Sequence, residues 1–307
     1  MKVLFQTVDP APEQALALLA KYLPDAQFSL WPQGRDEVHD VAVCWKPPAD
    51  FFQGRRFRAI FNIGAGVDAL LQHPDLPADT MIVRVEDAGM AAQMEEYVAW
   101  AALSYLRNFH LYARQQGSAL WQPLEPRARA ELPVGIMGLG LLGERVATYL
   151  RDMGFTVRGW NRSARSIEGV TSFTGAAQLP EFLTGTRMLV CLLPLTKDTQ
   201  GVLDRALLEQ LPKGSYLVNI ARGLHLNEAD ALALLDEGHL AGATLDVFPQ
   251  EPLPDYHPFW RHPKVTLTPH ISAQTLIEES MRQIATKIAA FARGDVLTGV
   301  IDRSKGY

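Results

Sequence analysis

Cysteine is scarce: only Cys44 and Cys191 occur in 307 residues, each inside an apolar stretch that reads as a strand. Two buried, reduced thiols are expected, and a disulfide scaffold or a cysteine nucleophile is not. No apolar run approaches the ~20 residues of a membrane span. At the N-terminus Val3, Leu4 and Phe5 give way to Gln6, Thr7 and an Asp9-Pro10 break, too short a stretch for the core of a secretion signal. Lysine and arginine form no block and the formal net charge is -5, which argues against nucleic acid or an anionic membrane as the main partner. Internal repeats and low-complexity tracts are also missing. A cytoplasmic protein with a small-molecule partner is the expectation.

What is present is 48% hydrophobic residues, enough for two cores at roughly 150 residues per domain. Short β-rich apolar runs alternate with stretches of helical period, the pattern of parallel α/β sheets with helical crossovers. A first series places strands at 3–8, 27–31, 41–45, 58–62 and 81–83 and a helix at 12–22. A long helix near 91–108 follows, then a poorly periodic stretch, 111–132, holding Trp121, Pro123 and Pro126, which reads as a boundary with an arm. The second series places strands at 134–137, 156–160, 188–192, 216–219, 242–246 and 265–268, with helices at 141–153, 176–183 and 227–237. A last amphipathic helix, 272–293, has spare apolar positions at Ile277, Met281, Ile284, Ile288 and Phe291 with which to return and cover the first domain.

The sequence Gly138-Leu139-Gly140-Leu141-Leu142-Gly143 follows an apolar strand and opens a helix, the context in which GxGxxG signals a dinucleotide site. Gly138 permits the tight turn, Gly140 lets phosphate oxygens reach main-chain N–H groups, and Gly143 lets helix pack on strand. A glycine-rich turn without a ligand is the bland alternative. A kinase loop is a poor fit, since neither HRD nor DFG occurs. About 20 residues on, where an Asp or Glu binds the ribose hydroxyls of NAD, this chain has Asn161, followed by Arg162, Ser163, Ala164 and Arg165. Given the fingerprint, that turn reads as a 2′-phosphate pocket; without it, a solvated basic turn would do.

Three further segments each end a strand of the second series. They are Val218-Asn219-Ile220-Ala221-Arg222-Gly223, Leu245-Asp246-Val247-Phe248-Pro249-Gln250-Glu251-Pro252 and Leu267-Thr268-Pro269-His270-Ile271-Ser272. Ligands of open α/β sheets lie beyond the carboxyl ends of the strands, which would gather Arg222, Glu251 and His270. An anion clamp, a proton donor and a carboxylate that tunes the donor are what reduction of a 2-oxo acid needs. Singly, Arg222 could be a surface ion pair, Glu251 a solvated carboxylate and His270 a satisfied core histidine. A carboxylate beside an imidazole favours its charged, proton-donating form. No metal is called for, because Arg222 and His270 place positive charge where the alkoxide develops. His257 and His262 lack a zinc-site pattern and read as surface residues.

In order and spacing, NxARG, LDVFxxEP and TPHxSA after GxGxxG resemble the D-isomer-specific 2-hydroxyacid dehydrogenases. The likeness covers nearly the whole chain, since Asn62-Ile63-Gly64-Ala65-Gly66-Val67-Asp68 resembles that family's substrate-carboxylate loop. Within the family it is greatest toward the shorter bacterial glyoxylate/hydroxypyruvate reductases. Cys44-Trp45-Lys46-Pro47-Pro48, Gly89-Met90 with Gln93-Met94-Glu95-Glu96-Tyr97, and Trp160-Asn161-Arg162-Ser163 carry that likeness.

The resemblance implies two parallel-sheet α/β domains, Rossmann-like and flavodoxin-like, with the active site in the cleft between them. The substrate domain would be 1–94 plus 276–307; the dinucleotide domain would be 95–275, with a dimerisation arm at about 105–132 and a homodimer as the assembly. It implies His270 as proton donor, Glu251 as its charge partner and Arg222 on the substrate carboxylate. The N–H groups around Gly64, Ala65 and Gly66 would add carboxylate contacts, and Asp246 would lie near the nicotinamide carboxamide. Leu193 and Pro194, in Cys191-Leu192-Leu193-Pro194-Leu195-Thr196, would border the adenosine half of the cofactor, and Ile220 and Ala221 would be cofactor-binding as well. The family's usual acidic residue is absent at Asn161, so NADPH is expected over NADH, with Arg162 and Ser163 as phosphate contacts and Arg165 or Arg158 as further candidates.

Trp45, at the end of a first-series strand, either caps a small substrate pocket or fills the inter-domain core, the two being evenly matched. Trp121 is expected at an interface. The expected activity is NADPH-dependent reduction of glyoxylate and hydroxypyruvate to glycolate and D-glycerate. A larger 2-oxo acid as substrate, or a dinucleotide-sensing corepressor on the same fold, stays open at this point; a formate dehydrogenase would carry an amide where Glu251 stands.

Overall fold

A computed structural model describes residues 1–8 and 11–306; the Asp9-Pro10 break lies outside the described residues. The chain divides into two compact units, Met1–Met90 with Thr275–Tyr307, and Ala91–Gln274. The crossings fall four residues before and one residue before the boundaries expected at 94 and 276.

The first unit holds β1 (Lys2–Gln6), α1 (Pro12–Tyr22), β2 (Gln27–Leu30), β3 (Val41–Cys44), β4 (Ala59–Asn62), α2 (Asp68–Leu71) and β5 (Met81–Arg84). Its five strands are parallel in the order β2-β1-β3-β4-β5, with a switch of direction between β1 and β3. β3 and β4 are buried along their whole length, as strands covered on both faces should be. Phe51, Phe52 and Phe57 pack with Leu4, Ile60 and Leu70 into its core.

Helix α3 (Met90–Leu106) carries the chain into the second unit, followed by α4 (Phe109–Gly117). Then come β6 (Val134–Met137), α5 (Leu141–Asp152), β7 (Val157–Asn161), β8 (Thr171–Thr174), α6 (Gly175–Thr184) and β9 (Met188–Cys191). The unit continues with α7 (Arg205–Leu208), β10 (Ser215–Asn219), α8 (Glu228–Asp236), β11 (Leu240–Leu245) and β12 (Val265–Leu267). The seven strands run parallel in the order β12-β11-β10-β9-β6-β7-β8. Chain direction reverses between β6 and β9, the topological switch point at which such sheets bind ligands.

The closing helix α9 (Ile277–Arg293) belongs to the first unit and packs on α1. Met281, Ile284 and Ile288 are buried, and Phe291 meets Phe61 edge-on at 6.2 Å. The expected apolar stripe is thus used, although the helix starts at Ile277 and not at 272. Beside it, the nearly buried Lys287 ammonium donates to the carbonyls of Arg84 and Thr298, at 2.9 and 3.0 Å, and pairs with Glu86 at 3.0 Å. These bonds tie the C-terminal segment to the end of β5.

Three sequence expectations change. β8 was not expected; its sequence TSFT buries only Phe173, so no apolar pattern announces it. The stretch 111–132 is not irregular throughout, because α4 reaches Gly117 with no buried residue and hence no apolar stripe. His257 and His262 are partly buried, facing Glu228 and Asp236 of α8 at 3.3 Å each, so they fasten the loop before β12 onto that helix. Cys44 and Cys191 are buried free thiols; burial pushes both thiols up, Cys191 to about 12, which leaves them protonated and inert.

Candidate active site

In the second unit β6 ends in the glycine loop, and each glycine has a separate physical reason. Gly138 has φ +110, a conformation that L side chains rarely adopt, and a Cβ there would sit 2.8 Å from the Leu192 backbone. At Gly143 a Cβ would lie 1.9 Å from the Gly138 carbonyl oxygen, so only glycine lets α5 start this close to β6. Gly140, the N-cap of α5, has no protein atom within 4 Å of its Cβ position. The open side is where a phosphate fits, against the N-terminal amides and positive end of the helix. The Leu139 side chain is core, packed on Gly159, and Ile220 and Ala221 are likewise buried. These three can serve a cofactor only through their backbones. Leu141 is exposed, Leu142 and Pro194 are partly exposed, and Leu193 is nearly buried.

At the end of β7 the Asn161 amide donates to the carbonyl and hydroxyl oxygens of Ser163, at 3.0 and 3.1 Å, closing the turn. Arg162, Ser163 and Arg165 are exposed on it. Arg158 is not a phosphate contact. Its guanidinium lies 4.4 Å over the Phe173 ring and donates to the Glu181 carbonyl at 2.7 Å, and burial holds its pKa below the usual arginine value.

The three chemical segments end neighbouring strands β10, β11 and β12. After β10, buried Asn219 shapes the turn: its amide donates to the Arg222 carbonyl at 3.1 Å and its oxygen accepts from Ala221 N at 3.2 Å. Arg222 is partly exposed and donates from Nη1 to the Ala221 carbonyl at 2.8 Å. A Cβ on the next residue, Gly223, would meet the Phe248 carbonyl carbon at 1.9 Å, so this glycine lets the arginine turn abut the loop that carries Glu251. The fully buried His225, which drew no attention in the sequence, braces the same turn. Its Nδ1 lies 3.2 Å from Arg222 N and 3.1 Å from the Arg222 carbonyl oxygen, while Nε2 faces the Pro194 carbonyl at 3.3 Å.

After β11, Glu251 divides its oxygens: Oε1 accepts from Phe248 N at 2.9 Å and Oε2 meets His270 Nδ1 at 2.8 Å. The ring is thereby oriented with Nε2 turned from the carboxylate, and its side chain remains 43% exposed, accessible to a substrate. His270 has φ +57, a left-handed conformation uncommon for a residue with a Cβ. Asp246, expected near the nicotinamide carboxamide, turns its side chain into the protein. It is fully buried, and its carboxylate accepts from Thr268 Oγ1 at 2.6 Å, Ile271 N at 2.8 Å and Ser272 N at 2.9 Å. Its task in this structure is to hold the histidine loop.

In the first unit, the loop after β4 is held through its carbonyls. Asn62, itself buried, donates to the carbonyls of Gly64 at 2.7 Å and Gly66 at 2.9 Å, and Arg84 donates to that of Ala65 at 3.5 Å. In a trans peptide C=O and N–H point opposite ways, so the N–H groups of Ala65, Gly66 and Val67 face away from Asn62 and Arg84. Successive amides pointing one way attract a carboxylate. Trp45 packs on this loop: a Cβ on Gly64 would fall 2.3 Å from its ring, and the indole stays half-buried. This contact is compatible with either reading of Trp45, as cap of a substrate pocket or as core. No group of three or more His, Cys, Asp or Glu residues among the described ones is arranged to hold a metal ion.

A glycine-opened helix at the switch point of a parallel sheet, with Arg, Glu and His at the ends of adjacent strands, defines a dinucleotide-dependent dehydrogenase class. Residues 99–272 match the family model for the NAD-binding domain of D-isomer-specific 2-hydroxyacid dehydrogenases, and the chain belongs to that family. It is 46% identical over 301 residues to a glyoxylate/hydroxypyruvate reductase A of Yersinia enterocolitica, covering 96% of both chains. One from Salmonella paratyphi B is 47% identical over 294 residues, with 94% of both covered. Among solved structures, a D-isomer-specific 2-hydroxyacid dehydrogenase from Xanthobacter autotrophicus in complex with NADPH and MES superposes with a TM-score of 0.94 at 35% identity, covering 100% of this chain and 99% of that one. The NADPH-dependent glyoxylate/hydroxypyruvate reductase of Sinorhizobium meliloti, in complex with NADP and sulfate, gives 0.93 at 37% identity, with the same coverage.

Proposed function

We propose that this protein reduces small 2-oxo acids, glyoxylate and hydroxypyruvate, to glycolate and D-glycerate with NADPH. The observation that carries the reading is His270 Nδ1 held 2.8 Å from Glu251, beside the Arg222 turn, in a family whose relatives bear that activity by name. Bound NADPH supplies the hydride. Oriented by Glu251, the His270 ring donates its Nε2 proton to the carbonyl oxygen as the alkoxide forms. Arg222 binds the substrate carboxylate and polarises the carbonyl, and the N–H groups of Ala65 and Gly66 are assigned to the carboxylate as well. The pyrophosphate is assigned to the 138–143 loop, and the 2′-phosphate to Arg162 and Ser163. A steady-state panel of glyoxylate, hydroxypyruvate and a branched 2-oxo acid, each with NADPH and NADH, tests the reading; faster turnover of the branched acid would overturn the substrate assignment.

Arg222→Lys is expected to raise KM and lower kcat together, because an ammonium cannot reproduce a planar two-point contact with a carboxylate. Parental kinetics in that variant would return Arg222 to a surface role.

A homodimer is the assembly we propose. Trp121 is 98% exposed, Leu120 lies beside it, and a groove of about 580 Å³ runs between α4 and this arm. An indole left in water calls for a cover, and a second copy of the arm supplies one with matching chemistry. Trp121→Glu should shift sedimentation of the purified protein toward the monomer; an unchanged dimer would remove the arm from the interface. The two reduced thiols fit a cytoplasmic location, and no helix among the described residues is long and apolar enough to cross a membrane.

A further inference from the structure

The loop that carries His270 departs from β12 through Thr268 and Pro269 and enters the left-handed region at the histidine itself. Such a conformation is disfavoured and persists only where surrounding bonds over-determine it. Here the bonds converge on one residue. His270 N donates to the Asp246 carbonyl at 2.8 Å, and the next two amides donate to the Asp246 carboxylate. The remaining donor to that carboxylate is the Thr268 hydroxyl, at 2.6 Å.

A hydroxyl has one proton. Since Thr268 gives its proton to Asp246, the 2.5 Å contact between Thr268 Oγ1 and Tyr97 Oη must have the phenol as donor. Burial raises the Tyr97 pKa, which keeps the phenol protonated and able to fill that part. A directed chain results, from Tyr97 on α3 through Thr268 to Asp246 and on to the backbone around His270. All of its members lie in the second unit.

We infer that Thr268, with Tyr97 behind it, is a positioning residue for the proton donor. The two hydroxyls fix the buried carboxylate that keeps the His270 loop in its strained form. Neither touches the reacting atoms; each acts through Asp246. Losing the Thr268 donor leaves one oxygen of a buried carboxylate with a single neutral amide and weakens the restraint on the loop. The imidazole then drifts from the position that its contact with Glu251 defines. Misplacement of a catalytic group by about 1 Å can cost on the order of 100-fold in rate, so the loss should appear in kcat. This inference rests on the reading of His270 as the acid.

The test is a kinetic series on the full-length protein with glyoxylate and NADPH. Thr268→Val keeps the shape and removes the hydroxyl; it should lower kcat by roughly 10- to 100-fold, with substrate KM and NADPH Kd within about 2-fold of the parent. Thr268→Ser, which keeps the hydroxyl, should recover kcat to within about 3-fold. Tyr97→Phe should lower kcat by roughly 3- to 10-fold, and the Tyr97→Phe, Thr268→Val pair should be no slower than Thr268→Val alone, as expected for links of one chain. Parental kcat in Thr268→Val overturns the inference, as does a serine variant as slow as the valine one, which would point to lost packing. If Thr268→Val fails to fold, Tyr97→Phe decides alone, parental kcat overturning the chain. His270→Gln in the same assay separates the layers: if it retains turnover, the acid is misassigned, and if it is inactive while Thr268→Val is parental, only the positioning role falls.

Discussion

Changing His270 to glutamine is expected to lower kcat at least ~100-fold while NADPH affinity stays within about 2-fold, the signature of a lost general acid. Glutamine has nearly the reach of histidine and an amide that can still bond to Glu251, so the loop keeps its partner. What it lacks is a proton that it can surrender. The geometry leaves one candidate atom, because Nδ1 is engaged with Glu251 at 2.8 Å and Nε2 is the nitrogen left for a substrate. Cofactor binding should be spared, since the glycine loop follows β6, and β11, β10 and β9 lie between it and β12 in the sheet. Steady-state kinetics with a fluorescence titration of NADPH measure both quantities. Turnover near the parental rate would remove His270 from the chemistry.

Much of the fold was legible because parallel strands buried on both faces announce themselves as apolar runs. β6, β9 and β10 have no exposed residue. The strand that stayed hidden, β8, is an edge strand with one buried side chain, and its invisibility had a second consequence. Arg158 looks from the sequence like a companion of Arg162, because the ring that captures it, Phe173, belongs to the strand that could not be seen. The glycine loop was legible for the opposite reason: each of its glycines answers a steric demand that no other residue meets. Asp246 shows the limit. Its place at the end of a strand could be read, but whether its carboxylate turns to a ligand or back into the protein is decided by the amides of Ile271 and Ser272. Those amides are aligned by a left-handed histidine that no sequence pattern discloses. His225 was legible in principle, as a histidine three residues beyond the arginine in an apolar run, but its role depends on the nearness of the Pro194 carbonyl.

Asn161→Asp combined with Arg162→Ala is expected to reverse cofactor choice, moving the ratio of kcat/KM values from NADPH toward NADH by at least ~30-fold, or about 2 kcal/mol. Like charges ~4 Å apart repel by about 4 kcal/mol at an effective dielectric near 20 and by about 1 kcal/mol in bulk water. The turn is largely exposed, with Arg162 and Ser163 at the surface and Asn161 partly covered, so an intermediate value applies. An aspartate there would face the 2′-phosphate of NADPH with like charge, yet accept hydrogen bonds from the ribose hydroxyls of NADH. Removing Arg162 takes away a charge-assisted donor to the phosphate. The structure adds a condition. The Asn161 amide closes the turn by donating to both oxygens of Ser163, and a carboxylate cannot donate. The turn should therefore loosen in the variant, raising KM for both cofactors while the NADH-to-NADPH ratio still rises. Substrate KM should change little, because Arg222 and His270 sit at the ends of other strands. A parent enzyme that already uses NADH as well as NADPH would overturn this reading of the turn and leave the acid–base chemistry of His270 standing.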